Sequence, residues 1–181
     1  MSIIFLDTET TGLDPTVHGV IEVAWSVDGG PISTLVFPHS HLIPTADVRA
    51  LEVNNYYDRG LGLLPVATDD EVLDFFNVLK GNTICGANIV FDANFLTAYY
   101  KISQAQAPWN YRMLDIEAFA AGVLCQSGQK MMGLWTIGQF LLEIGYEIPE
   151  PRHTAESDVA CLIACYQSLR VIQEMHSVLP V

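Results

Sequence analysis

Hydrophobic residues near the start of the chain form a short continuous run and then an alternating pattern. Ile3 to Leu6 are all apolar and are followed by polar residues, which predicts a strand buried on both faces. From Val20 to Val27 apolar and polar positions alternate, which predicts a half-buried strand. The turn sequence at 28–31 (DGGP) leads into Ile32 to Phe37. We therefore expect an antiparallel hairpin after the first strand.

Helical spacing dominates the rest of the chain. The clearest helix is predicted at Asp69 to Leu79, where acidic residues occupy the first turn and apolar residues recur every three or four positions. Further helices are predicted at 46–54, 91–100, 116–124, 134–144 and 154–175, and short strands at 83–85 and 112–114. A hairpin followed by alternating strands and helices indicates a mixed α/β fold.

The length and composition predict one soluble domain that spans residues 1–181. Half of the residues are hydrophobic, which is enough for a sizeable core. No apolar stretch approaches the roughly 20 residues that a membrane helix needs. The opening residues lack the basic flank of a signal peptide and run directly into Asp7. We therefore expect a cytoplasmic protein.

The cysteines are predicted to be reduced and mostly buried, because none forms a C-x-x-C pair and nothing indicates secretion. They are Cys85, Cys125, Cys161 and Cys165. Cys161 and Cys165 lie one helical turn apart, but His153 is the only histidine near them in sequence. Ordinary buried thiols are therefore favoured over a metal site.

The charge balance restricts how the chain can bind nucleic acid. It has 8 Lys and Arg against 21 Asp and Glu, for a net charge of −13. Proteins that grip long nucleic acids neutralise phosphates with Lys and Arg. Here the basic residues are scattered, with no two adjacent. Substrate phosphates must therefore be met by bound cations or by a few local contacts.

The first candidate for chemistry is the pair Asp7 and Glu9 at the end of the first predicted strand. If the extended geometry continues, both carboxylates point to one side and can share a divalent cation. The alternative is a solvated strand end. The following residues 10–13 (TTGL) supply two hydroxyls, a glycine and an apolar side chain, which suit contacts with a sugar and a base.

Two later segments carry the remaining candidates. Asp92 follows a predicted strand where a helix begins, so its alternative interpretation is a helix N-cap. His153 and Asp158 would lie on different sides of a regular helix, because five residues turn through about 500°. We therefore expect His153 on the preceding loop, Thr154 as the helix cap and Asp158 facing inward. The alternative for His153 is an ordinary exposed loop histidine.

Together these segments resemble the DEDDh exonuclease family, also called DnaQ-like, on the ribonuclease-H-like fold. The first motif is FLDTETTGLDP with Asp7 and Glu9, the second is N-x-x-F-D from Asn88 to Asp92, and the third is H-x-A-x-x-D from His153 to Asp158. The resemblance covers Ile3 to about Tyr166 and implies a mixed five-stranded sheet flanked by helices. One departure is Ala87, where many family members have histidine.

The resemblance implies a 3′-to-5′ exonuclease that converts single-stranded DNA or RNA ends to 5′-nucleotides with two Mg²⁺ or Mn²⁺ ions. Asp7, Glu9 and Asp158 would hold one ion, Asp7 and Asp92 would help place the second, and His153 would act as general base. The implied substrate-binding residues are Thr10, Thr11, Gly12, Leu13, Asn88 and Phe91. The acidic composition favours short oligonucleotides or frayed ends.

Other functions remain open at this point. The chain can instead be a proofreading or accessory subunit docked on a polymerase, an oligoribonuclease-like enzyme, or an inactive nucleic-acid binder. The last is disfavoured, because all five site residues are present and a basic surface is missing. The sequence decides neither DNA against RNA nor whether the chain forms a homodimer.

Overall fold

The computed structural model describes residues 1–101, 107–124 and 132–178. Five strands form one mixed sheet in the order β3-β2-β1-β4-β5. The strands are β1 (Ile3–Thr10), β2 (Val20–Val27), β3 (Ile32–Val36), β4 (Thr83–Gly86) and β5 (Leu114–Asp115). β1, β2 and β3 pair antiparallel, whereas β4 and β5 run parallel to β1. The predicted hairpin and the mixed α/β class are confirmed.

Within the described ranges, six α-helices flank this sheet. They are α1 (Val48–Val53), α2 (Asp69–Leu79), α3 (Ile89–Lys101), α4 (Ile116–Val123), α5 (Leu134–Glu143) and α6 (Ala155–Val178). α2 begins with a reciprocal cap, in which Thr68 and Glu71 each bond the other's backbone N–H. No helix in the described ranges is long and apolar enough to span a bilayer.

The core lies on both faces of the sheet, as the continuous apolar run in β1 predicts. Ile4 and Leu6 pack towards α2 and α3, whereas Phe5 packs towards α4, α5 and α6. The free thiols of Cys85, Cys161 and Cys165 are buried, and Cys125 lies outside the described residues. The long helix α6 packs across β1 and β2.

Several element boundaries differ from the sequence-based predictions. β1 continues four residues beyond Leu6, because the polar residues after it still pair with β2. The strand expected at 112–114 lies instead at Leu114–Asp115. α3 begins at Ile89, so Asp92 lies inside the first turn and the N-cap interpretation is wrong. The longer β1 affects where Asp7 and Glu9 point, and the earlier start of α3 affects where Asp92 points.

Candidate active site

The extended backbone of β1 places Asp7 and Glu9 on the same side of the strand. Asp7 lies opposite Ala24 of β2, and Glu9 lies opposite Glu22. Pairing becomes irregular only between Glu9 and Thr10, after both carboxylates have been positioned. Successive side chains alternate across a strand, so the i and i+2 carboxylates share one face.

Asp158 joins these two carboxylates from the first turns of α6. One ligand oxygen from each of Asp7, Glu9 and Asp158 lies within 4.8 Å of the others. Within the described ranges, no Lys, Arg or His forms an ion pair with any of the three. An all-carboxylate set of this kind fits a hard divalent cation such as Mg²⁺ or Mn²⁺.

The electrostatics of β1 show the cost of this arrangement without a cation. Burial raises the pKa of Asp7 well above its usual value, and the charges of Asp92 and Glu9 raise it further. Burial, followed by the charge of Asp158, raises the pKa of Glu9 to about 8. Like charges and low polarity both disfavour ionisation, so a bound cation would favour the ionised forms.

Asp92 is held against β1 by Thr8. Its Oδ1 accepts a hydrogen bond from the Thr8 backbone N at 2.9 Å and another from the Thr8 hydroxyl at 2.7 Å. Burial raises the pKa of Asp92 to about 7 although these hydrogen bonds lower it. Asp92 is not one of the three carboxylates that converge. It is nevertheless close enough for its charge to raise the pKa of Asp7.

The segment before α6 fixes Asp158 and presents His153. Asp158 Oδ1 accepts hydrogen bonds from the Arg152 backbone N at 3.0 Å and from the Ser157 hydroxyl at 2.9 Å. The Thr154 hydroxyl accepts from the Ser157 backbone N at 3.2 Å, so the predicted cap is confirmed. His153 lies on the loop, as expected, and has a left-handed φ of 54°; its side chain is exposed, as in the alternative interpretation of an ordinary loop histidine.

The turn at 10–13 is built by its own hydroxyls. The Thr10 hydroxyl donates to the Gly12 carbonyl at 2.7 Å, and the Thr11 hydroxyl accepts from the Gly19 backbone N at 3.0 Å. Thr11 is fully buried, so its side chain organises the turn. A Cβ at Gly12 would lie 2.5 Å from the His18 ring, so a larger residue there would have to displace that ring. Leu13 is 76% exposed at the tip.

The start of α3 places the other predicted substrate contacts. Asn88 is exposed, has a φ of 52°, and its carbonyl accepts from the Phe91 backbone N at 2.8 Å. Phe91 is half-buried and its ring centroid lies 4.8 Å from that of Phe95. Ala87 packs against the hydrophobic cluster on the α6 side of the sheet.

Three residues near the site were missed by sequence reasoning. Thr8 lies within the first motif, between the predicted metal ligands Asp7 and Glu9, but its own side chain has no predicted role. Glu22 follows β-strand alternation and reads as an ordinary exposed strand position, yet it is only 6% exposed. Arg59 lies in a segment without periodicity, and it forms an ion pair with Glu22 at 2.8 Å. No local signal predicts that pair.

Comparison with known proteins identifies the family and the fold of the chain. A family model described as exonuclease and named for RNase T matches residues 4–166. The chain belongs to this exonuclease family. It is also similar to a solved structure of E. coli ExoI, a zinc-bound complex with single-stranded DNA, at 15% identity and a TM-score of 0.69. No curated protein matches the sequence significantly.

The structural likeness supports the ribonuclease-H-like fold expected from the motifs. It covers 96% of this chain but only 41% of the ExoI chain. The family implies divalent metal ions, which is consistent with the converging carboxylates of Asp7, Glu9 and Asp158.

Proposed function

We propose that the protein is a 3′-to-5′ exonuclease of the DEDDh type that releases 5′-nucleotides from single-stranded DNA or RNA ends. The observation that carries this proposal is the convergence of Asp7, Glu9 and Asp158 within 4.8 Å. These residues come from the two ends of the sequence and meet without a basic partner among the described residues. Membership of the exonuclease family supports the same reaction class.

The carboxylates divide into two groups around the proposed cations. Asp7, Glu9 and Asp158 would hold one divalent ion, and Asp7 together with Asp92 would help to hold the second. When bound, such ions would lower the pKa of an attacking water and offset the charge on the leaving oxygen of a phosphodiester. Thr8 keeps Asp92 beside Asp7, because both of its donors bond one oxygen of Asp92.

His153 is the proposed general base. Its exposed position on the loop before α6 leaves the imidazole accessible to a water molecule. Imidazole can accept a proton near neutral pH, which an ordinary carboxylate does poorly. The loop is fixed on one side by the bond from the Arg152 backbone N to Asp158, so His153 stays close to the Asp158 carboxylate.

The proposed substrates are short oligonucleotides or loose single-stranded ends. Leu13 offers an exposed apolar contact for a terminal base, and Phe91 offers a half-buried ring at the start of α3. The net charge of −13 disfavours extended contacts with phosphates. We therefore expect distributive digestion whose rate depends only weakly on salt concentration.

The direct test uses the purified chain, Mn²⁺ or Mg²⁺, and matched DNA and RNA oligonucleotides labelled at either end. We expect a ladder that shortens from the 3′ end when the 5′ end is labelled, and early release of a labelled mononucleotide when the 3′ end is labelled. Asp7→Ala and Asp158→Ala should abolish both. Retained hydrolysis in either variant, or shortening from the 5′ end, would contradict the proposal. Activity of the isolated chain distinguishes an enzyme from a subunit that works only with a polymerase.

A further inference from the structure

A fifth carboxylate, that of Glu22, lies beside the proposed cation ligands. Glu22 of β2 is the register partner of Glu9 of β1. Facing side chains in an antiparallel pair project to the same side of the sheet, with their Cβ atoms about 5 Å apart. Glu22 is only 6% exposed, yet its oxygens are not among the ligand atoms that converge.

Arg59 accounts for the position of the Glu22 carboxylate. Its Nη2 donates to both Glu22 oxygens, each at 2.8 Å. The Glu22 side chain is 8% exposed and the Arg59 side chain 23%, so the pair is largely shielded from water. A shielded charge-assisted pair is held firmly, and loss of one partner leaves the other uncompensated.

The same pair is linked by hydrogen bonds to two segments that carry site residues. Glu22 Oε2 also accepts from the backbone N of Ala155, the first residue of α6, at 3.4 Å. Arg59 Nη1 donates to the Asn54 carbonyl at 3.3 Å, and the Asn54 amide donates to the Thr10 carbonyl at 3.2 Å. Glu22 and Arg59 therefore touch the start of α6 and the segment next to the turn after β1.

We propose that Arg59 is a positioning residue that turns the Glu22 carboxylate away from the divalent cations, so that Glu9 faces them instead. This inference rests on the proposed function, because it presupposes cations at the carboxylates. Without Arg59, the freed Glu22 carboxylate becomes an additional anionic ligand. Without the charge of Glu22, the unpaired guanidinium acts on Glu9, which is already within range of its charge, and competes with the cation.

The two single variants therefore shift cation affinity in opposite directions. In calorimetric titrations of the nucleic-acid-free protein with Mn²⁺, Arg59→Met should tighten binding or add a bound ion. Glu22→Gln should weaken binding about tenfold, the scale on which residues behind metal ligands act. The double variant R59M/E22Q should return the Kd to within about threefold of the wild-type value. A merely structural role predicts weakening in both single variants.

A matched control is the exposed ion pair between Arg170 and Glu174, whose N and O atoms lie 3.4 Å apart. Arg170→Met removes the same charge at a position about 18 Å along α6 from Asp158. It should leave the Kd for Mn²⁺ unchanged. If Arg59→Met fails to fold, Arg59→Lys takes its place, because it keeps the positive charge. Arg59→Lys should then have a Kd for Mn²⁺ near that of the wild type, whereas Glu22→Gln should have a weaker one.

The outcomes separate this inference from the exonuclease proposal. Opposite shifts with recovery in the double variant support the positioning role even if no nuclease activity is found. Weakening in both single variants, additive loss in the double variant, or no change in any of them overturns it even if the protein is an active exonuclease. A wild-type protein that binds no divalent cation overturns both.

Discussion

Asp92 of α3 accepts two hydrogen bonds through one oxygen, both from Thr8 of β1. The two residues are 84 positions apart in sequence. Because Thr8 lies between Asp7 and Glu9, this contact fixes the second carboxylate motif directly to the first. The residue in the middle of the D-x-E pattern thus links the two motifs, although it cannot bind a cation through a carboxylate itself.

Replacing Thr8 by valine tests this link. The variant keeps the backbone bond at 2.9 Å and removes the hydroxyl bond at 2.7 Å. Loss of a buried bond to a charged group costs about 1–3 kcal/mol, so the melting temperature should fall. Asp92 would also be held less firmly, so a higher Mg²⁺ concentration should be needed for half-maximal hydrolysis.

Thr16→Val is the matched control, because the Thr16 hydroxyl also bonds an aspartate oxygen, on Asp14, at 2.7 Å. That bond is exposed, so its loss should change both measurements little. Equal effects of Thr8→Val and Thr16→Val on the Mg²⁺ requirement would show that the bond to Asp92 does not organise the site.

The parts of the site that the sequence predicted are those fixed by local geometry. Two residues separated by one position in an extended strand share a face, so Asp7 and Glu9 follow from the strand alone. Similarly, the rotation per helical residue excludes His153 from the same helix side as Asp158 and correctly places it on the preceding loop. Such relationships depend only on backbone periodicity.

The parts that the sequence did not predict depend on pairing across the chain. β1 continues past its apolar run because β2 supplies hydrogen-bond partners. The hydrophobic pattern of β1 alone does not predict this pairing. The ion pair between Arg59 and Glu22 joins residues 37 positions apart and follows from the tertiary fold. The sequence predicts a later start for α3 than the observed Ile89, because Asp92 is an equally good N-cap residue.

The stability of the metal-free protein should depend on pH through the raised carboxylates. The pKa of Glu9 is raised from 4.5 to about 8 and that of Asp92 from 3.8 to about 7. A raised folded-state pKa means that the protonated form favours folding, and this contribution is lost as pH rises through the folded-state value. In a chelating buffer, the melting temperature should therefore fall between about pH 5 and pH 9.

Glu9→Gln separates this effect from other titrations. It removes one ionisable group from the cluster, so it should raise the melting temperature in chelator at pH 8 and flatten the pH dependence. It should also reduce the additional stability that Mg²⁺ gives the wild type, which grows with pH because the cation binds ionised carboxylates. Glu143→Gln, an exposed change at the end of α5, should do neither. A melting temperature that rises with pH in chelator would contradict the assignment.

His153→Asn tests the general base without a backbone penalty, because asparagine tolerates the left-handed φ of 54° better than alanine. Turnover should fall by about 10²–10⁴-fold, the usual contribution of a general base. The melting temperature and the Mn²⁺ affinity should remain close to wild type, since the side chain is exposed. His176→Asn is the control, because it changes another exposed histidine, on α6, and should leave turnover unchanged. A fall below about tenfold would indicate that another group accepts the proton.

Leu13 tests whether the tip of the turn contacts the substrate. Its side chain is 76% exposed, so Leu13→Ala removes little packing from the folded protein and should leave the melting temperature almost unchanged. If the side chain packs against a terminal base, the KM for short oligonucleotides should rise while kcat changes less, because the contact is made equally in the ground and transition states. Met175→Ala is the control: Met175 is 59% exposed but lies about 25 Å along α6 from Asp158. A KM that is unchanged in Leu13→Ala, or raised equally in both variants, would remove Leu13 from the substrate contacts.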